Sequence, residues 1–101
     1  MTKTLKTAII GYGVVGKRRK LFIERNKNYK LLYISDIKFK KRFKSRSITF
    51  FKNYKEILKL DIDVVFITLP TYLASRVTLA FIKKGIHVFC EKPPAKNVNE
   101  I

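Results

Sequence analysis

Cysteine, tryptophan and acidic residues are scarce in this sequence. Cys90 is the only cysteine and tryptophan is absent, so a scaffold held by intrachain disulfides is excluded. The apolar runs are far shorter than the roughly 20 residues that a membrane span needs. The first of them, Thr7 to Ile10, is also too short for the core of a secretory signal. These absences predict a reducing, cytoplasmic location without a membrane partner.

The few acidic residues leave a strongly basic chain. Seven Asp and Glu stand against 23 Lys and Arg, a net charge of +16, which can indicate a polyanionic partner. The charge is concentrated in Lys17 to Lys20 and Lys38 to Arg46. Abundant Lys, Ile and Phe are equally typical of an AT-rich genome, and the sequence has no zinc-finger spacing or helix-turn-helix pattern. We therefore expect solvated basic surface and no specific nucleic-acid partner, with a basic nucleic-acid-binding domain as the weaker alternative.

Apolar residues make up 47% of the 101 residues, enough for one domain with a packed core over residues 1–101. The residue pattern predicts five strands, over residues 5–10, 29–35, 48–51, 63–69 and 86–90. It predicts helices over residues 14–25 and 73–84 and a short one after Asn53, with a loop or short helix over residues 37–47. Strands that alternate with helices predict an α/β fold, a Rossmann-type doubly wound parallel sheet with flanking helices.

A glycine-rich loop follows the first predicted strand and opens the first predicted helix. It consists of Gly11, Tyr12, Gly13, Val14, Val15 and Gly16. In a G-x-G-x-x-G loop the first glycine makes a tight turn, the second lets a pyrophosphate approach, and the third lets the helix pack against its strand. The helix N-terminus then offers N–H groups to the phosphates. This context predicts that residues 11–16 bind a dinucleotide.

Asp36 ends the second predicted strand, twenty residues after Gly16. A carboxylate there can accept hydrogen bonds from the adenosine ribose and repels a 2′-phosphate, which predicts NAD rather than NADP. Lys38, two residues on, could weaken that preference. A glycine-rich turn in another doubly wound protein, with Asp36 as an ordinary turn residue, remains the alternative.

The last predicted strand runs into Glu91-Lys92-Pro93. With the glycine loop, this ending resembles the glucose–fructose oxidoreductase and inositol dehydrogenase family (Gfo/Idh/MocA), and the resemblance extends from Lys6 to Glu100. It implies the cofactor domain of an NAD(P)-dependent oxidoreductase that acts on a hydroxyl group of a sugar, sugar nucleotide or cyclitol. Lys92 would be the catalytic residue beside nicotinamide and substrate. Further cofactor contacts would come from Glu91, Lys92 and the loop residues Thr68, Leu69 and Pro70.

The sequence departs from the family after Pro70. Members often place Asn directly after this proline and His three residues further, where this chain has Thr71 and Ala74, so the detailed contacts of that loop stay open. His87 is expected to be a packed or edge residue of its strand, and Cys90 a small buried apolar residue. No His, Cys and carboxylate set has the spacing of metal ligands, so no metal is assigned.

Members of this family are much longer than this chain. Their second, α+β domain supplies most substrate contacts, the usual catalytic Asp or His and the oligomer interface. The resemblance therefore implies that the chain is a fragment or truncated product, cut before that second domain, of a homo-oligomeric enzyme. A stand-alone, non-catalytic dinucleotide-binding module is the rival interpretation.

Overall fold

The computed structural model describes residues 4–90, where strands and helices alternate. The strands are β1 (Leu5–Ile10), β2 (Tyr29–Ser35), β3 (Phe43–Ser45), β4 (Ile48–Phe51), β5 (Val64–Ile67) and β6 (His87–Cys90). The helices are α1 (Val14–Arg25), α2 (Tyr54–Ile57) and α3 (Thr71–Lys83). Within residues 4–90, no helix combines the length and the apolar character that crossing a membrane would require.

The six strands form one sheet in the order β3-β4-β2-β1-β5-β6. All neighbouring pairs are parallel except the antiparallel pair of β3 with β4. The apolar cluster on one face includes Ile23 of α1, and the cluster on the other includes Ile57 of α2 and Phe81 of α3. Helices thus cover both faces, which confirms the α/β, doubly wound architecture expected from the sequence.

The central strands supply the most deeply buried residues. All four residues of β5 are buried, as are the last four of β1, and β1 lies between β2 and β5. A strand with neighbours on both sides and helices on both faces has no solvent-facing position. This explains why Val64-Val65-Phe66-Ile67 is a continuous apolar run without alternation.

The prediction of five strands is wrong by one, because β3 lies inside the segment expected to be a loop or short helix. Residues 43–45 are exposed and basic, yet they pair with β4 in a hairpin. The Phe43 ring stacks on Phe50 with centroids 4.5 Å apart. Arg46 makes the turn with φ 57°, in the left-handed region that glycine or asparagine usually occupies. Because every side chain of β3 is exposed and an arginine occupies its turn, the sequence here has no alternation of buried and exposed positions and no turn residue that would predict a hairpin.

The predicted helix ends agree closely with the structure. Gly85 follows α3 with φ 78°, its N–H donates to the Ile82 carbonyl, and the N–H of Ile86 donates to the Phe81 carbonyl. These two bonds make a Schellman motif, which requires a residue in the left-handed conformation. At the start of α2, the Asn53 side chain accepts a hydrogen bond of 2.9 Å from the Lys55 N–H, which is an N-cap.

The carboxyl ends of β1, β2 and β5 meet at one edge of the sheet, because these strands are adjacent and parallel. The loops that leave them begin at Gly11, Asp36 and Thr68. The order in which the strands are added to the sheet also reverses at this point, because β2 lies on one side of β1 and β5 on the other. Open α/β sheets bind their ligands at such a point, and the fold thereby brings the three predicted segments together.

Candidate cofactor-binding site

Gly11 and Gly16 are held close to their neighbours by the turn between β1 and α1. Gly11 has φ 96°, and a Cβ atom there would lie 2.8 Å from the Thr68 carbonyl oxygen. A Cβ atom at Gly16 would lie 2.2 Å from the carbonyl oxygen of Gly11. Both contacts are with backbone, which cannot rotate away. The first and third glycines therefore let the loop turn sharply and let α1 begin directly against it.

Gly13 differs from the other two glycines because it faces open space. A Cβ atom at Gly13 would meet no described atom within 4 Å, so the fold does not require glycine here for packing. Gly13 is the N-cap of α1, without a side-chain hydrogen bond to the cap and without an acidic residue in the first turn. The helix N-terminus thus presents backbone N–H groups and its positive dipole end beside an unobstructed Cα, which suits a phosphate.

Val14 and Val15, the next two residues of the loop, form the start of α1, and their side chains face solvent. Val14 is 70% exposed and Val15 41%, so neither side chain belongs to the core. The first helical hydrogen bond runs from the Lys17 N–H to the Gly13 carbonyl at 3.0 Å. The backbone N–H groups that precede Lys17 in the helix have no hydrogen-bond partner within the helix, as is usual for the first N–H groups of an α-helix.

Asp36 is tied to the glycine loop by its carboxylate. One oxygen, Oδ2, accepts from the Tyr12 N–H at 2.6 Å, and the other, Oδ1, accepts from the Lys38 N–H at 2.9 Å. Its own N–H donates to the Phe51 carbonyl at 3.0 Å. Each carboxylate oxygen has more than one acceptor site, so both can still accept bonds from hydroxyl groups of a ligand. The carboxylate is thus fixed in direction beside the loop.

Lys38 was expected to be part of a solvated basic segment, and the structure gives it two specific contacts. Its ammonium donates to the Tyr12 carbonyl at 2.5 Å and lies 5.6 Å from the centroid of the Tyr12 ring. Residues 40–47 are all exposed, as expected for solvated surface. The available sequence signal was the position of Lys38 two residues after Asp36. The path of the intervening loop decides whether that position reaches the glycine loop.

The Tyr12 side chain anchors the glycine loop to the face of the sheet that carries α1. Its ring centroid lies 6.2 Å from that of Phe39 and 6.1 Å from that of Phe50. Lys17 lies 5.8 Å from the same ring, a distance typical of a weak cation–π contact. Tyr12 therefore holds the loop by its ring, while its backbone groups contact Asp36 and Lys38.

Thr68, Leu69 and Pro70 form the loop between β5 and α3, as the family resemblance implied, whereas the residue pattern had extended the strand to Leu69. The Thr68 hydroxyl donates to the Gly11 carbonyl at 2.5 Å, and its N–H donates to the Ile10 carbonyl at 2.9 Å. A Cβ atom at Gly11 would lie 2.9 Å from Leu69 Cδ2. Pro70 is the N-cap of α3. The loop therefore packs against the first glycine and holds it in place.

Replacing Thr68 with valine is expected to lower the free energy of unfolding by about 1 kcal/mol, because the Gly11 carbonyl loses its donor. Thr78 of α3 is the matched control. Its hydroxyl is buried without a hydrogen-bond partner among the described residues, so Thr78→Val should be neutral or stabilising. Urea unfolding of the two variants measures both effects. Equal effects in the two variants would contradict a specific role for the Thr68 hydroxyl.

A cavity of about 400 Å³ opens beside Asp36 on the face that carries α2 and α3. Its walls come from the ends of β1 and β2, from the loop after β4 and from α3. They include Gly11, Asp36, Ile37, Lys52, Asn53, Leu69, Leu73 and Arg76. The sequence pattern did not identify Lys52 or Arg76, since neither belongs to a motif. The cavity therefore adjoins Asp36 directly and has both apolar and basic residues in its walls.

Two predicted site residues, Glu91 and Lys92, lie outside the described residues. The prediction that Cys90 is buried is wrong, because its side chain is exposed. It belongs to β6, at the end of the sheet order, where a strand has only one neighbour among the described strands. His87, at the start of β6, is exposed as well. Within residues 4–90, no group of three His, Cys, Asp or Glu side chains could hold a metal ion.

Comparisons with known proteins agree with this geometry. Residues 5–101 match the model of a family described as an oxidoreductase family with an NAD-binding Rossmann fold. An uncharacterized oxidoreductase of Bacillus subtilis (strain 168), YrbE, is 34% identical over 105 residues, which cover 99% of this chain and 31% of YrbE. The chain thus spans about a third of the length of this relative.

Solved structures share the fold. The myo-inositol 2-dehydrogenase of Lactobacillus plantarum matches with a TM-score of 0.74 and 29% identity, over 97% of this chain and 31% of that one. The D-galactose-1-dehydrogenase of Rhizobium etli matches with a TM-score of 0.78 and 23% identity, over 99% of this chain and 32% of that one. At the lower identity the likeness concerns the fold alone.

Proposed function

Because this chain belongs to the Gfo/Idh/MocA oxidoreductase family with an NAD-binding Rossmann fold, we propose that it is the cofactor-binding part of an NAD(P)-dependent enzyme. The proposed substrate carries a hydroxyl group and is a sugar, a sugar nucleotide or a cyclitol. The name of one solved neighbour, a myo-inositol 2-dehydrogenase that is 29% identical, supports that substrate class. A nicotinamide cofactor, when bound, supplies the hydride chemistry, and the chain supplies position and charge.

The observation that carries this proposal is the different surroundings of the three loop glycines. Gly11 and Gly16 are packed against backbone, whereas Gly13 is open to solvent at the N-terminus of α1. Packing alone would not require glycine at this exposed middle position, next to a helix N-terminus that has no side-chain cap. A pyrophosphate can approach Gly13 and accept hydrogen bonds from the first N–H groups of α1.

The adenosine half of the cofactor has matching features along the same edge. In this proposal the Asp36 carboxylate, which two backbone N–H groups fix in direction, accepts hydrogen bonds from the ribose hydroxyls. The adenine would then enter the adjoining cavity, between Ile37 and the side chains of α3. Ile37 is 81% exposed, and the adenine would cover it in this arrangement. We infer that Asp36 makes NAD the tighter ligand.

The catalytic role belongs to Lys92 in this proposal, and it rests on the family resemblance of Glu91-Lys92-Pro93. An ammonium group beside the substrate hydroxyl can donate a hydrogen bond to it and stabilise the oxygen as its proton leaves. A second domain would hold the sugar carbon close to the nicotinamide. Because this chain spans 31% of the length of YrbE, the activity and the substrates of the whole protein are part of the proposal.

Calorimetric titration with NAD and NADP tests cofactor binding. We expect weak binding of NAD and weaker binding of NADP, because a carboxylate repels a 2′-phosphate. The same preparation, mixed with NAD and a panel of sugars and cyclitols, should show no increase in NADH absorbance. Correct positioning of reactants contributes roughly 7–11 kcal/mol to lowering a barrier, and a single lysine cannot position a sugar.

Three results would contradict parts of this proposal. Absence of binding by either dinucleotide would contradict the cofactor site. Equal or tighter binding of NADP would contradict the preference for NAD. Steady turnover that Lys92→Ala abolishes would show that the 101-residue chain is a complete enzyme.

A further inference from the structure

A second cavity, of about 270 Å³, lies between α1 and the turn that joins β3 to β4. Among the described residues, none that lines it also lines the cavity beside Asp36. Its apolar wall is formed by Ile48 and Phe50, which belong to the same buried cluster as Ile23 of α1. The first cavity opens on the face that carries α2 and α3, so the two cavities are separate and lie on opposite faces of the sheet.

The polar wall of this second cavity consists mainly of groups that donate hydrogen bonds. Lys20 comes from α1, and Ser45, Arg46 and Ser47 come from the turn. Glu24 is the one acidic side chain in the described part of the wall, and Lys20 holds it at 3.0 Å. An ammonium group has three N–H donors, so Lys20 can bind Glu24 and a ligand together. The wall therefore offers two cations and two hydroxyls, and its carboxylate is already paired.

Arg46 is an unusual residue for the turn that it occupies. Ser45 pairs with Ile48, so the hairpin turn consists of Arg46 and Ser47, and Arg46 has φ 57°. Turns of this length favour glycine, asparagine or aspartate where φ is positive. Within residues 4–90 the guanidinium has no hydrogen-bond or ion-pair partner. Residues held in sparsely populated backbone conformations cluster at ligand sites, and a cation without a protein partner at such a position indicates an anionic ligand.

We propose that this cavity binds a phosphate group, carried by inorganic phosphate or by a small phosphate monoester. The Arg46 guanidinium pairs with two phosphate oxygens, an arrangement that suits its planar fork of donors. Lys20 and the two serine hydroxyls donate to the remaining oxygens. The Tyr12 ring forms part of the wall, so the phosphate lies against the residue that anchors the glycine loop. The site needs no dinucleotide and does not depend on the proposed function.

The test titrates inorganic phosphate into the full chain without a dinucleotide, at a constant ionic strength set by sodium chloride. Thermal unfolding and backbone amide NMR shifts follow the binding. Phosphate at ten times its dissociation constant should raise the melting temperature by about 5 °C or more. The amide shifts should concentrate at residues 45–47 and near Lys20. Glycerol 3-phosphate is titrated in parallel: tighter binding than inorganic phosphate identifies a monoester as the ligand, and equal or weaker binding identifies free phosphate.

Arg46→Asn separates phosphate binding from stability. We expect the phosphate affinity to fall by about tenfold or more, because a charge-assisted bidentate pair is lost. Without phosphate the variant should melt no lower than the wild type, since asparagine tolerates a positive φ better than arginine. Lys20→Gln, which leaves the turn intact, should weaken phosphate binding as well. Arg42→Asn is the matched control, because it removes the same charge from an exposed residue just before β3 that does not line the cavity.

The inference is wrong in three cases. Equal stabilisation by sodium chloride alone would show general screening of a basic chain. Unchanged phosphate affinity in Arg46→Asn, or a loss as large in Arg42→Asn, would show that the chain binds an adventitious ion only. Amide shifts centred on Gly13 and Asp36 would place the phosphate at the glycine loop, which would support the proposed function and contradict this second site. The proposed function fails separately, if neither dinucleotide binds.

Discussion

Replacing Gly16 with alanine is expected to lower the free energy of unfolding by about 3 kcal/mol or more, at the upper end of what overpacking costs. The added Cβ atom would lie 2.2 Å from the Gly11 carbonyl oxygen and 3.1 Å from Thr68 Oγ1. The first of these atoms is backbone, held by the turn at Gly11, so α1 must move away from β1. A loss of this size lowers the melting temperature of a domain of this length by more than about 12 °C.

The sign of this effect distinguishes packing from intrinsic helix propensity. Gly16 lies inside α1, and an alanine in a helix interior is ordinarily more stabilising than glycine by about 0.5–1 kcal/mol. Propensity alone would therefore predict that Gly16→Ala stabilises the chain. The contact with Gly11 predicts the opposite sign and a larger magnitude. Thermal unfolding followed by circular dichroism measures which term is larger.

Gly13→Ala is the matched control within the same loop. A Cβ atom there meets nothing within 4 Å, so the free energy of unfolding should change by less than about 1 kcal/mol, the scale of an N-cap substitution. The same methyl group would occupy the space that a pyrophosphate needs, so NAD binding should be lost. Equal destabilisation by Gly13→Ala and Gly16→Ala would contradict the division of roles between the two glycines.

The parts of the fold that the sequence predicted are those that depend on local pattern. The buried run of β5, the helix that follows Gly13 and the stop at Gly85 all have signals in adjacent residues: continuous apolar side chains, helical spacing, or a glycine where φ is positive. The position of Asp36 is predictable for the same reason. It directly follows a strand whose end is marked by the change from apolar to polar residues.

The parts that the sequence did not predict depend on contacts between distant segments. β3 is stabilised as a strand by the stacking of Phe43 on Phe50, although its own residues read as surface. The contact of Lys38 with Tyr12 joins residues 26 positions apart. The hydroxyl of Thr68 reaches Gly11 across 57 positions. The exposure of Cys90 follows from the place of β6 in the strand order, which periodicity within the strand does not encode.

Asp36→Asn is expected to weaken NAD binding by about a hundredfold, since two charge-assisted hydrogen bonds to the ribose hydroxyls would be lost. The amide also disturbs the loop. The carboxylate accepts from both the Tyr12 N–H and the Lys38 N–H, whereas an amide offers one oxygen and one NH₂ group. Whichever way the amide turns, one backbone donor faces another donor. The free energy of unfolding should therefore fall by about 1–3 kcal/mol.

NADP should be affected less than NAD by the same change. Asp36→Asn removes the negative charge that repels a 2′-phosphate, which offsets part of the lost hydrogen bonding. Calorimetry with both dinucleotides measures the two affinities, and urea unfolding measures the stability.

Asp61→Asn is the matched control for charge. Asp61 is largely exposed and pairs with Lys6, at the amino end of β1, so it lies at the opposite edge of the sheet from Asp36. Both substitutions remove one negative charge, but only Asp36→Asn should change the ratio of the NAD and NADP affinities. An unchanged ratio in Asp36→Asn, with NAD still bound, would mean that this carboxylate fixes the glycine loop through Tyr12 without contacting the ribose.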